Sequence, residues 1–368
     1  MKGYLFKVLI FMLIVFIIPL SAYSRNKNYL ENIIEVSKKP DKNIVEVKSS
    51  SEENKKELKE DKENKIEKNT NIEESLICYT PQYNCNSFNI YDITENKVIK
   101  VSAEDYVIGA VASEMPPSFH EEALKAQAVA CHSLAVKQKL DHMKNPDETL
   151  WGGDFSADPS NKKGYVTKEK MKEMYGDKFD LYYGKISKAC QEVINKVMLS
   201  ENEPVVAVYH SASNGFTEKS ENVWSGGKSY LTTVESKGDI LSPNYESRKE
   251  FTENQVKEIL TAAYPDINLN INAENWFKDE IRSEAGYVLN IKVGDKTIEG
   301  KKIRSLFSLR SCDFDIKYEN GNFLFTVRGY GHGVGLSQYG ADYMARQGAS
   351  YDEILKHYYR GVVIVDIK

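Results

Sequence analysis

The sequence predicts an α+β extracytoplasmic region in two lobes, helix-rich in its first half and strand-rich in its second, behind an N-terminal membrane helix and a disordered tether. Three observations carry this. Residues 8–20 (VLIFMLIVFIIPL) are an uninterrupted apolar run behind Lys2 and Lys7. Residues 25–75 are dominated by Lys, Glu, Asn and Ser, too poor in apolar side chains to offset the entropy of ordering. Beyond them, helical periodicity prevails early and alternation punctuated by turn residues prevails late. The chain divides accordingly into 1–24, 25–75, 76–240 and 241–368.

The leader comes first. Its basic head favours the cytoplasmic side, which puts the rest of the chain outside the cytoplasm. Counted with 4–6 and 21–23 the apolar run spans a bilayer, whereas Ala22 and Ser24 suit a signal peptidase, so a retained anchor and a cleaved signal both fit. The Glu and Lys spacing of 25–75 also suits a single charged helix, but without an apolar stripe it has no tertiary support. As a tether, this stretch supplies reach away from the bilayer.

Composition narrows the classes. With 368 residues and 41% hydrophobic content the chain can bury one large or two medium cores. A net charge of -5 leaves no basic footprint, which excludes nucleic acid as a partner. The five cysteines, Cys78, Cys85, Cys131, Cys190 and Cys312, lack zinc-knuckle or redox spacing. Cys131 suits burial on a small-residue helix face, and a local Cys78–Cys85 bridge stays open outside the cytoplasm. No cofactor is expected.

The elements follow in order. Residues 88–93 and 97–101 alternate around Thr94-Glu95-Asn96 as a hairpin. Residues 102–112 form a helix with Ser102 as N-cap and Asp105 in capping-box position, and Pro116 ends it by Met115. Ser118 with Glu121 predicts a second capping box. The long helix that follows, HEEALKAQAVACHSLAVKQKLDHM, carries Ala123, Ala126, Ala130 and Leu134 on a face small enough for close packing. Residues 145–163 read as a loop, 179–199 as a helix, and 204–210 as a buried strand running into the polar block Ser211-Ala212-Ser213-Asn214-Gly215. A helix over 251–263 capped by Thr252, strands over 281–307 turning at Gly294-Asp295, and a hairpin over 314–327 at Asn320-Gly321 come next. Gly329, Gly331, Gly333 and Gly335 match neither a dinucleotide fingerprint nor a phosphate loop; a ligand-lining loop and a tight strand crossing both fit. Ser337 opens a helix over 338–346, and Ser350 with Glu353 caps one over 351–359 in which His357 packs.

Glu114 is the candidate catalytic group. It stands at a rigid corner between two helices, although composition alone favours a solvated acid. Met115, Phe119 and Tyr106 are the apolar shields that would raise its pKa. His210, Ser211 and Ser213 invite a serine-hydrolase reading, which fails because neighbouring strand side chains point to opposite faces and no Gly-x-Ser-x-Gly elbow exists.

The run GAVASEMPPSFHEEALKAQAVA at 109–130 resembles the signature of the stage II sporulation protein D family, peptidoglycan lytic transglycosylases with amidase-enhancer relatives. Two later blocks resemble it too: YHSASNG at 209–215 with Thr217, Glu218 and Trp224, and GYGHGVGLSQYGADYMARQG at 329–348 followed by ILKHYYRGV. The resemblance implies that Glu114, as a lone general acid and base, cleaves the bond between N-acetylmuramic acid and N-acetylglucosamine in peptide-stripped glycan strands. The products would carry 1,6-anhydro ends, released during engulfment. It also implies a retained anchor in the mother-cell membrane facing the intermembrane space of a sporulating bacterium, with stage II sporulation proteins P (an amidase/endopeptidase) and M as partners. The alternative is a non-catalytic, glycan-binding enhancer of a cell-wall amidase. His132, Tyr165, His210, Ser211, Glu218, Trp224 and His332 become candidates for substrate contacts.

Two departures from the family pattern stand out. Relatives with a structural zinc carry His and two Cys around an Asp-Pro turn; here Leu150, Ser156 and Lys162 hold those positions, so no metal is expected and polar contacts must hold the loop. The family's Ala-Arg-Thr is Cys131-His132-Ser133 here, which puts a weaker, pH-dependent group at the arginine position.

Overall fold

The computed structural model describes residues 78–243 and 245–368; the expected anchor and tether lie outside the described residues. After β1 (Cys78–Tyr79), the predicted hairpin forms from β2 (Ser87–Asp92) and β3 (Lys97–Ser102), with Phe88 opposite Val101 and Ile90 opposite Ile99. α1 (Ala103–Glu114) starts on Ser102, whose hydroxyl accepts the Asp105 N–H, and ends on Met115. α2 (Glu121–Lys144) does not start on Ser118. The Phe119 N–H bonds the Pro116 carbonyl and closes a turn, and His120 caps the helix by accepting the Glu122 N–H on Nδ1 at 3.3 Å.

The expected loop over 145–163 contains β4 (Phe155–Ala157), which adds to β2 in parallel. α3 (Lys168–Tyr175) was not foreseen, and α4 (Phe179–Gln191) stops well short of 199. There β5 (Lys196–Ser200) takes over, because Val197, Met198 and Leu199 are all buried, and such a short apolar run suits a strand covered on both faces as well as a helix. Only the ends of the strand expected over 204–210 are paired, as β6 (Glu203–Pro204) and β7 (Tyr209–His210).

β8 (Glu246–Thr252) leads into α5 (Glu253–Ala263), whose Thr252 and Gln255 complete a capping box. β9 (Phe277–Arg282), β10 (Val288–Val293) and β11 (Lys296–Glu299) form an antiparallel meander. The strand expected up to 307 gives way to α6 (Gly300–Leu306), which turns Ile303 inward against Phe307 one turn on. β12 (Asp313–Glu319) and β13 (Asn322–Arg328) pair around Asn320 and Gly321, both at positive φ as that tight turn demands. β14 (Leu336–Ser337), α7 (Gln338–Arg346), α8 (Tyr351–Tyr358) and β15 (Val363–Ile367) close the chain.

The class is α+β, and its packing forms two hydrophobic clusters. One holds Val256 through Val327. The other joins residues 85–234 to Val334 through Val365. α2 is the centre of this larger cluster: its buried alanines let α1, α4, α7, α8 and β5 pack directly on it. β15 inserts between β1 and β5, while β14 pairs in parallel with β7. Among the described residues all five cysteines are free thiols and no helix is long and apolar enough to cross a membrane.

Candidate active site

Glu114 is the last residue of α1, at the helix end where the macrodipole disfavours negative charge. The corner behind it is clamped by the C-terminal helices. Asp342 accepts the His120 N–H at 2.6 Å, Arg346 pairs with Asp342 and donates to the Ser118 carbonyl, and the Phe119 ring meets Tyr339 edge-on. Lys185 donates to the Phe119 carbonyl at 2.5 Å. Met115 and Phe119 are buried, and Tyr106 lies close enough that the Glu114 charge bears on its phenol.

The carboxyl itself is half-buried. Burial is the dominant influence and pushes its pKa above the ordinary carboxylate value; the Gln338 side chain and the Gly164 backbone offset part of that rise. The Gln338 amide nitrogen is buried without a well-formed hydrogen bond and so keeps a donor for this carboxylate or its ligand. On the α2 side, Gln127 donates to the Cys131 sulfur at 3.2 Å and Cys131 approaches the Tyr209 hydroxyl at 3.7 Å. Burial raises the Cys131 thiol to about 12, which keeps it protonated.

Of the predicted contacts, Tyr165 is the one next to this centre. It follows Gly164, stacks on Tyr106 with ring centroids 6.0 Å apart, and packs against Gly109 of α1. His132 is 3% exposed, donates from Nδ1 to the Lys196 carbonyl at 3.2 Å and meets the Phe88 ring, which places it in the packed interior beside α2. Burial lowers its pKa to about 4, which makes it neutral.

The second predicted group gathers on the other side of β7. Tyr209 faces Cys131, and the next residue, His210, faces away, donating from Nδ1 to the Val334 carbonyl at 3.1 Å. Its ring lies 5.7 Å from His332, which in turn sits 4.9 Å from the half-exposed Trp224. Burial holds His210 at about 3 and His332 at about 4, so both are neutral. His332 Nδ1 accepts the Val334 N–H, which leaves the ring proton on Nε2. Glu218 and His332 line a cavity of about 240 Å³. Ser211 serves through its carbonyl, which accepts the Tyr339 N–H at 3.1 Å.

Sequence reasoning missed Gly164, Tyr209, Gln338 and Asp239. Asp239 is buried where the second and third blocks meet, and accepts the Ser213 N–H at 2.7 Å, the Ser213 hydroxyl and the Ser337 hydroxyl. It thereby fixes the residue preceding Gln338. Burial raises its carboxyl to about 6. The available signal was alternation along β7, which sets Tyr209 opposite to His210. The Asp-Pro loop is held by Asp158, which accepts from Thr94 and Asn161 while its backbone pairs with Lys163. Among the described residues no group of His, Cys, Asp and Glu is arranged to hold a metal ion.

Comparison with known proteins covers the first part of this site directly. The family described as stage II sporulation protein matches residues 91–199, which include Glu114 and the whole of α2. Stage II sporulation protein D of Bacillus amyloliquefaciens is 36% identical over 75% of this chain and 77% of its own length. The chain belongs to the stage II sporulation protein D family. The Bacillus subtilis protein D is 33% identical over 76% of this chain and 78% of its own length. The amidase enhancer of Bacillus subtilis is 23% identical over 70% of this chain but only 40% of its own length. Membership ties the chain to sporulation.

Proposed function

We propose that this sporulation protein D relative is a lytic transglycosylase of peptide-stripped peptidoglycan, held to the mother-cell membrane by its leader and working in engulfment beside the amidase that strips the stems. The observation that carries this reading is Glu114. Its carboxyl is shielded enough to keep a proton above the usual carboxylate range, and the groups that bear on it are an amide and a backbone unit rather than a second carboxylate. Glycoside hydrolysis usually takes two carboxyl groups, because water or a nucleophile must be managed on the far face of the sugar. An internal nucleophile removes that need. Protonated Glu114 gives its proton to the glycosidic oxygen, and the bond from that oxygen to muramyl C1 breaks. The resulting carboxylate takes the proton of the muramyl C6 hydroxyl as O6 bonds C1. The products are a 1,6-anhydro-muramyl end and a free glucosaminyl 4-hydroxyl, and no water is consumed.

The test is Glu114→Gln, which keeps the shape and removes the proton donor. Purified full-length protein should lose release of anhydro-sugars from stem-free glycan by a factor of about 100 or more. The similarity to a protein named amidase enhancer favours one rival, a glycan-binding stimulator without activity of its own. Under that reading neither version releases sugars alone and both stimulate an added amidase equally.

A further inference from the structure

The cavity beside His332 is walled by two opposite groups that do not meet. On one side Glu218 is 1% exposed. Its Oε1 accepts the Lys219 N–H at 2.7 Å and the Asn222 amide at 2.9 Å, while Oε2 is buried without a partner among the described residues. Buried carboxyls are held by a cation or by a full set of donors, and Oε2 has neither. On the other side stands Arg304 of α6, half-buried, whose Nε donates to the Leu309 carbonyl at 3.4 Å and which pairs with no carboxylate among the described residues. Both groups bear on the Cys312 thiol, and Arg304 bears on His332 as well, so the two face one space. The other charges on the lining cancel, because Lys301 pairs with Glu299 at 3.4 Å and each of these side chains is more than half exposed.

Nothing else in the wall competes for a charge. The Tyr287 hydroxyl is spent on the Phe216 carbonyl and the Asn214 N–H, and the His332 ring is neutral. At about 240 Å³ the space lies below the roughly 300–1,000 Å³ of pockets that take drug-sized molecules, so its occupant is small. A neutral sugar supplies no charge, and a lone anion or cation leaves one wall unmatched. A small body with an ammonium and a carboxylate satisfies both. We propose that this cavity binds the zwitterionic head of an α-amino acid, with the ammonium on Glu218 Oε2 and the carboxylate on the Arg304 guanidinium. Guanidinium and carboxylate match as a planar fork, so Arg304 fixes the orientation of the head as well as attracting it. The same head is carried by a free amino acid and by the distal centre of a diaminopimelyl residue in a peptide. Trp224, 41% exposed and 4.9 Å from His332, stands on the solvent side, where the rest of a longer ligand lies. The inference rests on the charges of the two walls and does not depend on glycan cleavage.

Truncated heads test each wall separately. Full-length protein is titrated by saturation-transfer NMR with L- and D-alanine, with N-acetylalanine, which lacks the ammonium, and with alaninamide, which lacks the carboxylate. One hand of alanine should bind about tenfold or more tighter than either truncated head, the worth of one charge-assisted hydrogen bond. Glu218→Gln should remove the preference over N-acetylalanine and keep the preference over alaninamide. Arg304→Gln should do the reverse, a crossed result that a general folding defect does not produce. Lys301→Gln, which breaks only the exposed pair with Glu299, should leave both ratios unchanged. γ-Glutamyl-diaminopimelate competing better than free alanine would assign the head to a peptide, and the opposite order to a free amino acid; both orders support the site. Equal binding of alanine and its truncated heads, no binding of any of them, or ratios that survive both wall substitutions overturns it. Displacement of bound alanine by chitooligosaccharide would give the cavity to the glycan strand and overturn it as well.

Discussion

Replacing Gly109 by alanine puts a methyl group into the contact that holds Gly164 against Glu114. A Cβ at this position would lie 2.3 Å from the Val166 carbonyl oxygen and 2.4 Å from the Tyr165 ring, both far inside van der Waals contact. The Val166 N–H also bonds the Gly109 carbonyl at 3.3 Å, so the segment cannot retreat without losing that bond. Overpacking costs about 1–3 kcal/mol, and collision with backbone rather than with a flexible tip favours the upper end. Alanine recovers about 1 kcal/mol in helix propensity, which leaves a net loss of about 2 kcal/mol. For a folded region of this size the melting temperature should fall by about 4 °C, read by thermal unfolding of the purified protein. The functional effect should be larger than the stability effect. Gly164 is one of two groups that lower the Glu114 pKa, so its retreat raises that pKa further and misplaces the acid. Anhydro-sugar release should drop and its high-pH limb should move upward. A variant with the wild-type melting temperature and an unchanged pH profile would refute the contact and the positioning role assigned to it.

Asp239 predicts a pH-dependent stability. Its folded carboxyl sits at about 6, raised by burial from 3.8, so the unfolded chain releases that proton first as pH rises. The stabilisation is therefore complete below about pH 4 and lost above about pH 6, a change of about 3 kcal/mol, which urea unfolding at pH 4 and 7 should show and Asp239→Asn should flatten. His132→Leu should cost about 1 kcal/mol at pH 7, the worth of one buried hydrogen bond, and leave sugar release near wild type. The histidine's folded pKa of about 4 lies below the ordinary value, so its contribution is present above about pH 6.5 and lost as pH falls through about 4; the variant should resist acid better over that window. Abolished activity in His132→Leu would contradict its assignment to the core.

The local chemistry around Glu114 was legible because caps and prolines act over a few residues. Ser102, Pro116 and the alanine face of α2 do what their types dictate. The start of α2 was misplaced because Pro116 and Phe119 close a turn that takes Ser118 out of register, and a histidine Nδ1 caps where serine was expected. β5 was taken for helix because three consecutive buried residues carry no period. Gly164 and Gln338 were illegible as partners of Glu114 for a different reason. Only the return of the C-terminal segment to the first cluster, fixed by Asp239 and by the β7 pairing with β14, brings Gln338 to the carboxyl. The burial of His132 is illegible for the same reason: its place on α2 does not reveal that β5 covers that face with the Lys196 carbonyl.

Digestion of stem-free glycan in ¹⁸O-labelled water, followed by mass analysis of the ends, tests the role of Glu114 most directly. Ring closure by the muramyl 6-hydroxyl predicts anhydro ends without label from the wild-type protein and none from Glu114→Gln. Labelled reducing ends, or equal release by the variant, would contradict it.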